Sequence, residues 1–290
     1  MRRSKGEKIF GIANNAFLVL FSFIMIIPVW HVAMYSLSNA NSVYGGGLFI
    51  SPRNFSINAY RIVLNSSLVK ASFANTVFVV VIATMLNLIM TLLASYPLSK
   101  KHLRGRRFIS YYIYFTMLFA GGLIPSYLVV KSLGLTNSLW ALIIPVACGG
   151  YYVFVLRNFI NTLPESLTES AKIDGAGEFR IMFSIVVPLC IPALAVIALM
   201  NAVGHWNSWF SCIIYINDTG KYTLQPVLRQ ILFVSQSVDF FKGDSRIGTG
   251  QMSQVVKMAT VMVATIPILL IYPFIQKYFV KGVMLGAVKG

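Results

Sequence analysis

A chain of 290 residues that is 57% apolar, 11% charged and +16 in formal charge is excluded from the ordinary soluble domains, in which about a quarter of residues are charged. Lipid is the solvent for such a composition, and each charged side chain then marks where a membrane span has to stop, because a charge at the bilayer centre is costly. Six intervals lack Asp, Glu, Lys and Arg and exceed the roughly 18 residues a span needs: 9–52, 71–99, 108–130, 132–156, 181–217 and 258–276.

These intervals predict an all-α membrane protein, one transmembrane domain over 1–290, with six helices at about 12–36, 71–96, 108–131, 138–160, 185–212 and 257–279. The first follows Arg2, Arg3, Lys5 and Lys8, as a secretory signal would. Its apolar run over 16–32 is longer than the roughly 7–15 residues of a signal core, so a retained helix is expected. The loop 37–70 carries Gly45-Gly46-Gly47 and Ser51-Pro52-Arg53-Asn54 as turn signals, and the near-helical spacing of Ile57, Tyr60, Ile62, Val63 and Leu64 predicts a short helix within it. After the second span, 99–107 is short and basic. Gly121-Gly122 and Pro125 interrupt the third span and predict a kink or an unwound stretch, tolerated at membrane depth only against protein or a water-filled cavity.

Between the fourth and fifth spans, 157–180 holds half of the eight acidic residues: Glu165, Glu169, Asp174 and Glu178. Here Pro164 suits a first helical position, Glu165 favours the helix dipole, Leu163, Leu167 and Ala171 form a small apolar stripe, and Gly175 permits a left-handed stop. The result is a short amphipathic helix outside the membrane, shaped to fit a groove on another protein. In the fifth span Asn201, His205 and Ser208 fall at i, i+4 and i+7 beside Trp206 and Asn207, a polar stripe that faces the bundle or a pore rather than lipid. It serves either as hydrogen-bonding glue between helices or as contact to a bound polar solute. The loop 217–257 is too long for a mere connection and is expected to touch a partner, with Asp239, Lys242, Gly243, Asp244 and Arg246 as the contact residues.

Charge fixes the expected orientation. With both termini inside, fifteen of the 24 basic residues fall on the inner segments, Lys100, Lys101, Arg104, Arg106 and Arg107 among them. That satisfies the positive-inside rule and argues against nucleic acid as the partner of the net charge. The expected location is the inner or plasma membrane, multi-pass, with the N- and C-termini cytoplasmic. The three cysteines, Cys148, Cys190 and Cys212, lie in or beside apolar runs without C-x-x-C spacing and read as small hydrophobes.

None of the acidic residues lies in a charge-free span, so a proton relay of carboxylates inside the membrane is missing, and only His31 and His205 remain for such a role. No G-x-x-x-x-G-K-S/T loop, H-E-x-x-H, G-x-S-x-G or cluster of metal ligands occurs. Neither ATP hydrolysis, metal binding nor an organic cofactor is expected of this chain, and if it performs active transport the energy must come from a partner.

Glu169-Ser170-Ala171, then Gly175 after three residues, then Ile185-x-Val187-Pro188 after nine more resembles the E-A-A…G…I-x-L-P loop of ABC-type importer permeases, with Ser170 in place of an alanine and Val187 in place of the leucine. Asn75-Thr76, Tyr96-Pro97-Leu98-Ser99-Lys100, Ile173-Asp174-Gly175-Ala176, Trp206-Asn207 and the run Gly282-Val283-Met284-Leu285-Gly286 are similar to the sugar-importing branch that contains the smaller maltose permease. Gly121-Gly122-Leu123-Ile124-Pro125-x-Tyr127 resembles a subgroup that takes larger, uronic-acid-containing oligosaccharides.

The resemblance implies a type I importer permease fold. It also implies an ATPase-coupling loop at Glu165, Glu169, Ser170, Ala171, Asp174, Gly175 and Ala176. The implied partners are a second homologous permease, two cytoplasmic ATPase subunits and an extracytoplasmic solute-binding protein, around a sugar substrate and surrounded by membrane lipid. A stand-alone secondary carrier of a small polar solute is the rival reading, and a non-transporting scaffold a third.

Overall fold

The protein is described by a computed structural model covering residues 5–43, 46–233 and 254–287, among which no strand occurs. In chain order the helices are α1 (Lys5–Ser36), α2 (Asn58–Asn65), α3 (Ser67–Ser99), α4 (Arg106–Leu118), α5 (Leu123–Ser132), α6 (Gly150–Ile160), α7 (Glu165–Ile173), α8 (Glu178–Ile181), α9 (Val187–Asn207), α10 (Phe210–Tyr215), α11 (Leu224–Phe233) and α12 (Gln254–Ala287). Short 3-10 turns stand at Leu139–Leu142 and Ile144–Val146, and a single π turn, Met182–Val186, joins α8 to α9.

Four stretches are long and apolar enough to cross a membrane unaided: Gly6–Ser36, Ser67–Ser99, Glu178–Asn207 and Gln254–Ile271. Two further pairs qualify only together, Arg106–Leu118 with Leu123–Ser132, bent by 113°, and Leu139–Val146 with Gly150–Ile160, bent by 47°. By length and composition the described residues therefore give four crossings, or up to six if each bent pair is one span. The sharp bend falls on the glycines singled out in the sequence. Gly122 has φ +86°, which side-chain-bearing residues rarely adopt, and Phe119 is extended, so α4 cannot run on into α5.

Around the expected fifth span, 185–212, the helix has limits of its own. Helix begins earlier, at Glu178, and stops at Asn207, where Ser208 turns extended at φ −71° and ψ 123° before α10 resumes.

The chain forms two compact units, Met1–Val69 with Leu228–Ile266, and Lys70–Val227 with Pro267–Gly290. In the first unit none of the apolar window of α1 is buried, as suits a helix sheathed by lipid or another subunit. Its C-terminal end is tied down. The Trp30 indole donates to the Ile50 carbonyl, the Phe49 amide donates to His31 Nδ1, and the Ser36 and Tyr60 hydroxyls meet at 2.7 Å. His31 thus holds the loop that follows α1 in place, and α2 is the short helix expected there.

The second unit has two cores. One joins Leu92 and Tyr96 of α3, Leu156 and Ile160 of α6, and Ile181, Val186, Cys190 and Ile197 of the α8–α9 rod. The other joins Val79 and Ala83 of α3 to Leu142, Ile143, Cys212 and Ile216. Because lipid is as apolar as leucine, such helices are held by close packing and internal hydrogen bonds rather than by escape from water. Helix α3 shows both. Ser72, Thr76, Asn87, Thr91 and Ser95 are all buried, and the hydroxyls of Thr76, Thr91 and Ser95 bond within the helix, to Ser72 O, Asn87 Oδ1 and Leu92 O.

Candidate functional site

Two places in the second unit combine polar groups with open space. The first is a cavity of about 460 Å³ whose walls come from α3 (Val79, Asn87), the 3-10 turns (Ala141, Leu142, Pro145, Val146), α6 and the residues before it (Cys148, Gly149, Tyr152), α9 (Met200, Asn201, Gly204, His205) and the chain beyond (Ser208, Ser211, Tyr215, Thr223). Its lining holds no Asp, Glu, Lys or Arg. Asn87 donates to the Val146 carbonyl while accepting from Thr91, and Asn201 donates back to Ile197 O, so both amides are oriented before any ligand arrives.

Of the five path candidates in the fifth span, Asn201, His205 and Ser208 line this cavity and Trp206 and Asn207 do not. Trp206 is 7% exposed and stands edge-on to Phe73 at 5.9 Å, a packing contact between helices. Consecutive helical residues diverge by about 100°, so a wall built by 201, 205 and 208 turns 206 and 207 away. Asn87 and Thr223 were missed in the sequence. Asn87 had a signal, the polar positions of α3 recurring every fourth residue with Thr91 and Ser95; Thr223 had none, since only folding brings it beside α3. Residues 118–125, around the expected break in the third span, do not line this cavity.

The second place is the end of the unit that carries α7. This helix stops by a Schellman motif: Ala176 N–H donates to Ala171 O at 2.9 Å, Gly175 N–H to Lys172 O at 3.0 Å, and Gly175 has φ +79°. The left-handed stop read from Gly175 is therefore present, while Pro164 sits one place earlier than read, as the N-cap.

The apolar stripe differs from the one read in the sequence. Leu163 and Ala171, with Ala176, pack on the unit's own core, whereas Leu167 is 43% and Ile173 87% exposed, as is Phe179 of α8 at 73%. The outward apolar face is thus Leu167, Ile173 and Phe179, because the turn at Gly175 folds Ala176 back onto Ala171 and pulls that side of the helix inward. Glu165, Glu169, Ser170, Asp174 and Gly175 are solvent-exposed.

Ion pairs hold both ends of α7. Lys101 Nζ lies 2.6 Å from Glu165 Oε1, and Lys172 Nζ lies 2.6 Å from Glu178 Oε1. The hydrogen bond from Lys101, more than its charge, holds the Glu165 carboxyl below the usual carboxylate range. The Tyr96 hydroxyl donates to Glu178 Oε2 at 2.6 Å, and Lys100 stands 4.7 Å above the Tyr96 ring. Burial lowers the Lys100 ammonium against the opposing pull of Glu178. A groove of about 390 Å³ beside α7 is lined by Lys100, Lys101, His102, Arg106, Glu165, Glu169 and Lys172 among others.

At the other end of the unit, the Asn75 amide donates to the carbonyls of Gly220 and Tyr222, and the Thr76 hydroxyl accepts from Leu224 N–H. Asn137, at φ +58°, accepts from the Asn217 and Asp218 amides. The chain between α10 and α11 is thereby pinned to α3, which explains why Asn75 and Thr76 stand together in the sequence. Asp239, Lys242, Gly243, Asp244 and Arg246, the expected partner contacts, lie outside the described residues. Among the described residues, no group of three or more His, Cys, Asp or Glu could hold a metal ion.

Residues 5–285 match the family described as "Binding-protein-dependent transport system inner membrane component". Two relatives from Bacillus subtilis cover nearly the whole chain: the polygalacturonan/rhamnogalacturonan transport system permease protein YtcP, 42% identical over 98% of this chain and 99% of its own length, and Protein LplC, 39% identical over 100% and 98%. A crystal structure of a bacterial ABC transporter involved in the import of the acidic polysaccharide alginate contains a chain that superposes with a TM-score of 0.88, at 32% identity, over 96% of this chain and 99% of its own. The stand-alone carrier and the scaffold are thereby set aside. An apolar helical bundle with a polar cavity and a capped, exposed helix between α6 and α8, the chain belongs to the family of binding-protein-dependent transport system inner membrane components.

Proposed function

We propose that this chain is the permease subunit of an ATP-binding-cassette importer for acidic oligosaccharides. In this reading six helices cross the membrane, each bent pair counting as one, and both termini are cytoplasmic. A second homologous permease completes the pore. Two cytoplasmic ATPases dock on α7, with Glu165, Glu169, Ser170, Ala171, Asp174, Gly175 and Ala176 forming the coupling loop. Asn201, His205 and Ser208 line the path.

The observation that carries the substrate class is the full-length likeness to proteins whose names specify polygalacturonan, rhamnogalacturonan and alginate, all uronate-containing. The glycine-broken third span that resembled the uronate-taking subgroup agrees with it. An extracytoplasmic solute-binding protein delivers the sugar. A solved relative with a TM-score of 0.59 is the alginate transporter in complex with a pentasaccharide-bound periplasmic protein, which supports the same fold. The loop holding Asp239, Lys242, Gly243, Asp244 and Arg246 is the proposed contact with that protein.

Mechanically, ATP binding draws the ATPase pair together, and α7 carries that displacement into the bundle, shifting the population between inward- and outward-open states. The test is uptake by the host strain with the gene deleted and restored, offering labelled trigalacturonate and, separately, labelled maltotriose. Loss and recovery of trigalacturonate uptake is expected. Unchanged uptake of trigalacturonate with loss of maltotriose would move the substrate to neutral sugars; no change in either would end the importer assignment for both.

A further inference from the structure

The carboxylate of Glu178 occupies a position the coupling motif does not include. It is the first residue of α8, and its two oxygens serve two different helices: Oε1 takes the Lys172 ammonium from the last turn of α7, and Oε2 takes the Tyr96 hydroxyl from the last turns of α3. Tyr96 is 5% exposed, so its hydroxyl is a fixed donor, whereas α7 has no buried residue and owes its seat to half-buried contacts and the ion pairs at its two ends. From Glu178 the helix runs without a break through α8, the π turn and α9 to Asn207, and the far end of that rod carries Asn201 and His205 in the cavity wall. A π turn is a single-turn irregularity within an α-helix, frequent at functional sites, and Pro188, which has no N–H to donate, follows two residues after it in the rod.

We infer that Glu178 is a positioning residue for coupling, a two-sided latch that hands displacement of α7 to the α8–α9 rod and, through it, to the cavity. If α7 moves with a docked partner, Lys172 pulls on Oε1 while Tyr96 anchors Oε2 to α3, so the carboxylate turns translation of α7 into a tilt at the start of α8. Removing the negative charge frees Lys172 and lets α7 slide without moving the rod; removing the Tyr96 hydroxyl frees the fulcrum. The inference rests on the reading of α7 as the ATPase contact.

The test reads the cavity directly and needs no knowledge of the sugar. In the assembled transporter, with Cys148, Cys190 and Cys212 replaced by alanine, Ser208→Cys is labelled by a maleimide with and without ATP and vanadate. The labelling rate of the parent is expected to change about fivefold or more on nucleotide trapping, the lower range of measured coupling between sites. In Glu178→Gln and in Tyr96→Phe that change is largely lost while the ATPase still co-purifies, and Glu178→Asp, which keeps the charge and both acceptor oxygens, retains part of it. A merely structural role lowers abundance and leaves the nucleotide response of the surviving protein intact. That result in both single variants overturns the inference. A parent that binds the ATPase yet shows no nucleotide response removes the reading of α7 itself, and the latch with it.

Discussion

Gly175 sits at φ +79° with nothing within 4 Å of where a Cβ would lie, so the cost of any side chain there is paid in backbone conformation alone, about 1–2 kcal/mol for an L-residue. Asparagine tolerates that conformation better than other side-chain-bearing residues, and arginine does not. Gly175→Arg is therefore expected to cut sugar uptake severely at unchanged membrane abundance, while Gly175→Asn retains much of it; equal uptake by the two would mean that the left-handed stop is irrelevant to transport. Glu169, exposed on the same helix, is a second handle. Glu169→Lys should reduce uptake and ATPase co-purification together, because it alters the proposed docking face without touching the stop. Its side chain has no role in the fold, so a loss of abundance in this variant would contradict the argument.

Where α4 passes α6, a glycine sets the distance between the helices. A Cβ on Gly150 would lie 2.9 Å from both Ile113 Cγ2 and Met117 Cγ, and Tyr114 against Phe154 and Arg157 against Ser110 continue the seam toward the opposite ends of the two helices. Small residues let membrane helices approach this closely, and overpacking such a seam costs about 1–3 kcal/mol. Gly150→Val is expected to lower the thermal stability of the purified protein in detergent. Gly204→Ala, at an α9 position with open space, should leave stability unchanged or slightly raised. Equal melting temperatures for Gly150→Val and the unmodified protein would show that α4 and α6 are not packed as described. The same close approach explains why the fourth expected span is built as 3-10 turns followed by a shorter helix: Pro145 and the Gly149-Gly150 pair spoil a continuous α-helix, yet they allow α6 to reach α4.

Across the membrane, the asymmetry of charge assigns sides. The loop after α3 carries Lys100, Lys101, Arg104, Arg106 and Arg107, and the chain between α10 and α11 is held at the other end of the unit by Asn75 and Asn137. In a cysteine-free background, Arg104→Cys is expected to be protected from an impermeant thiol reagent in intact cells, and Thr219→Cys to be open to it. Both side chains are exposed, so accessibility reports the side of the bilayer and not burial. The reverse pattern would invert the topology. Labelling of both from outside would mean that one bent pair re-enters rather than crosses, leaving an even number of spans between the two sites.

Charge-free intervals, the glycine pair in the third span and the capped acidic helix were all legible in the residues. Each follows from local chemistry: charge is costly in lipid, glycine alone takes positive φ without strain, and a stop such as Gly175 is written within a few residues of the helix it ends. Legible too was the polar face of Asn201 and His205, since period alone puts them on one side. What lay beyond the sequence depended on which surfaces meet. Leu163 and Ala171 read as a face for a partner, yet they pack on the chain's own core because the Schellman turn draws Ala176 back onto them, leaving Leu167 and Ile173 outside. Trp206 stands beside the polar stripe in the sequence, and its contact with Phe73, a residue more than a hundred positions away, exists only in the fold. Glu178 looked like one more solvated acid, and only the arrival of α3 beside α7 and α8 gives its two oxygens the Tyr96 hydroxyl and the Lys172 ammonium. Period and composition fix what a helix can offer to a neighbour; which neighbour accepts it is decided by contacts between residues far apart in the chain, and those exist only once the helices have packed.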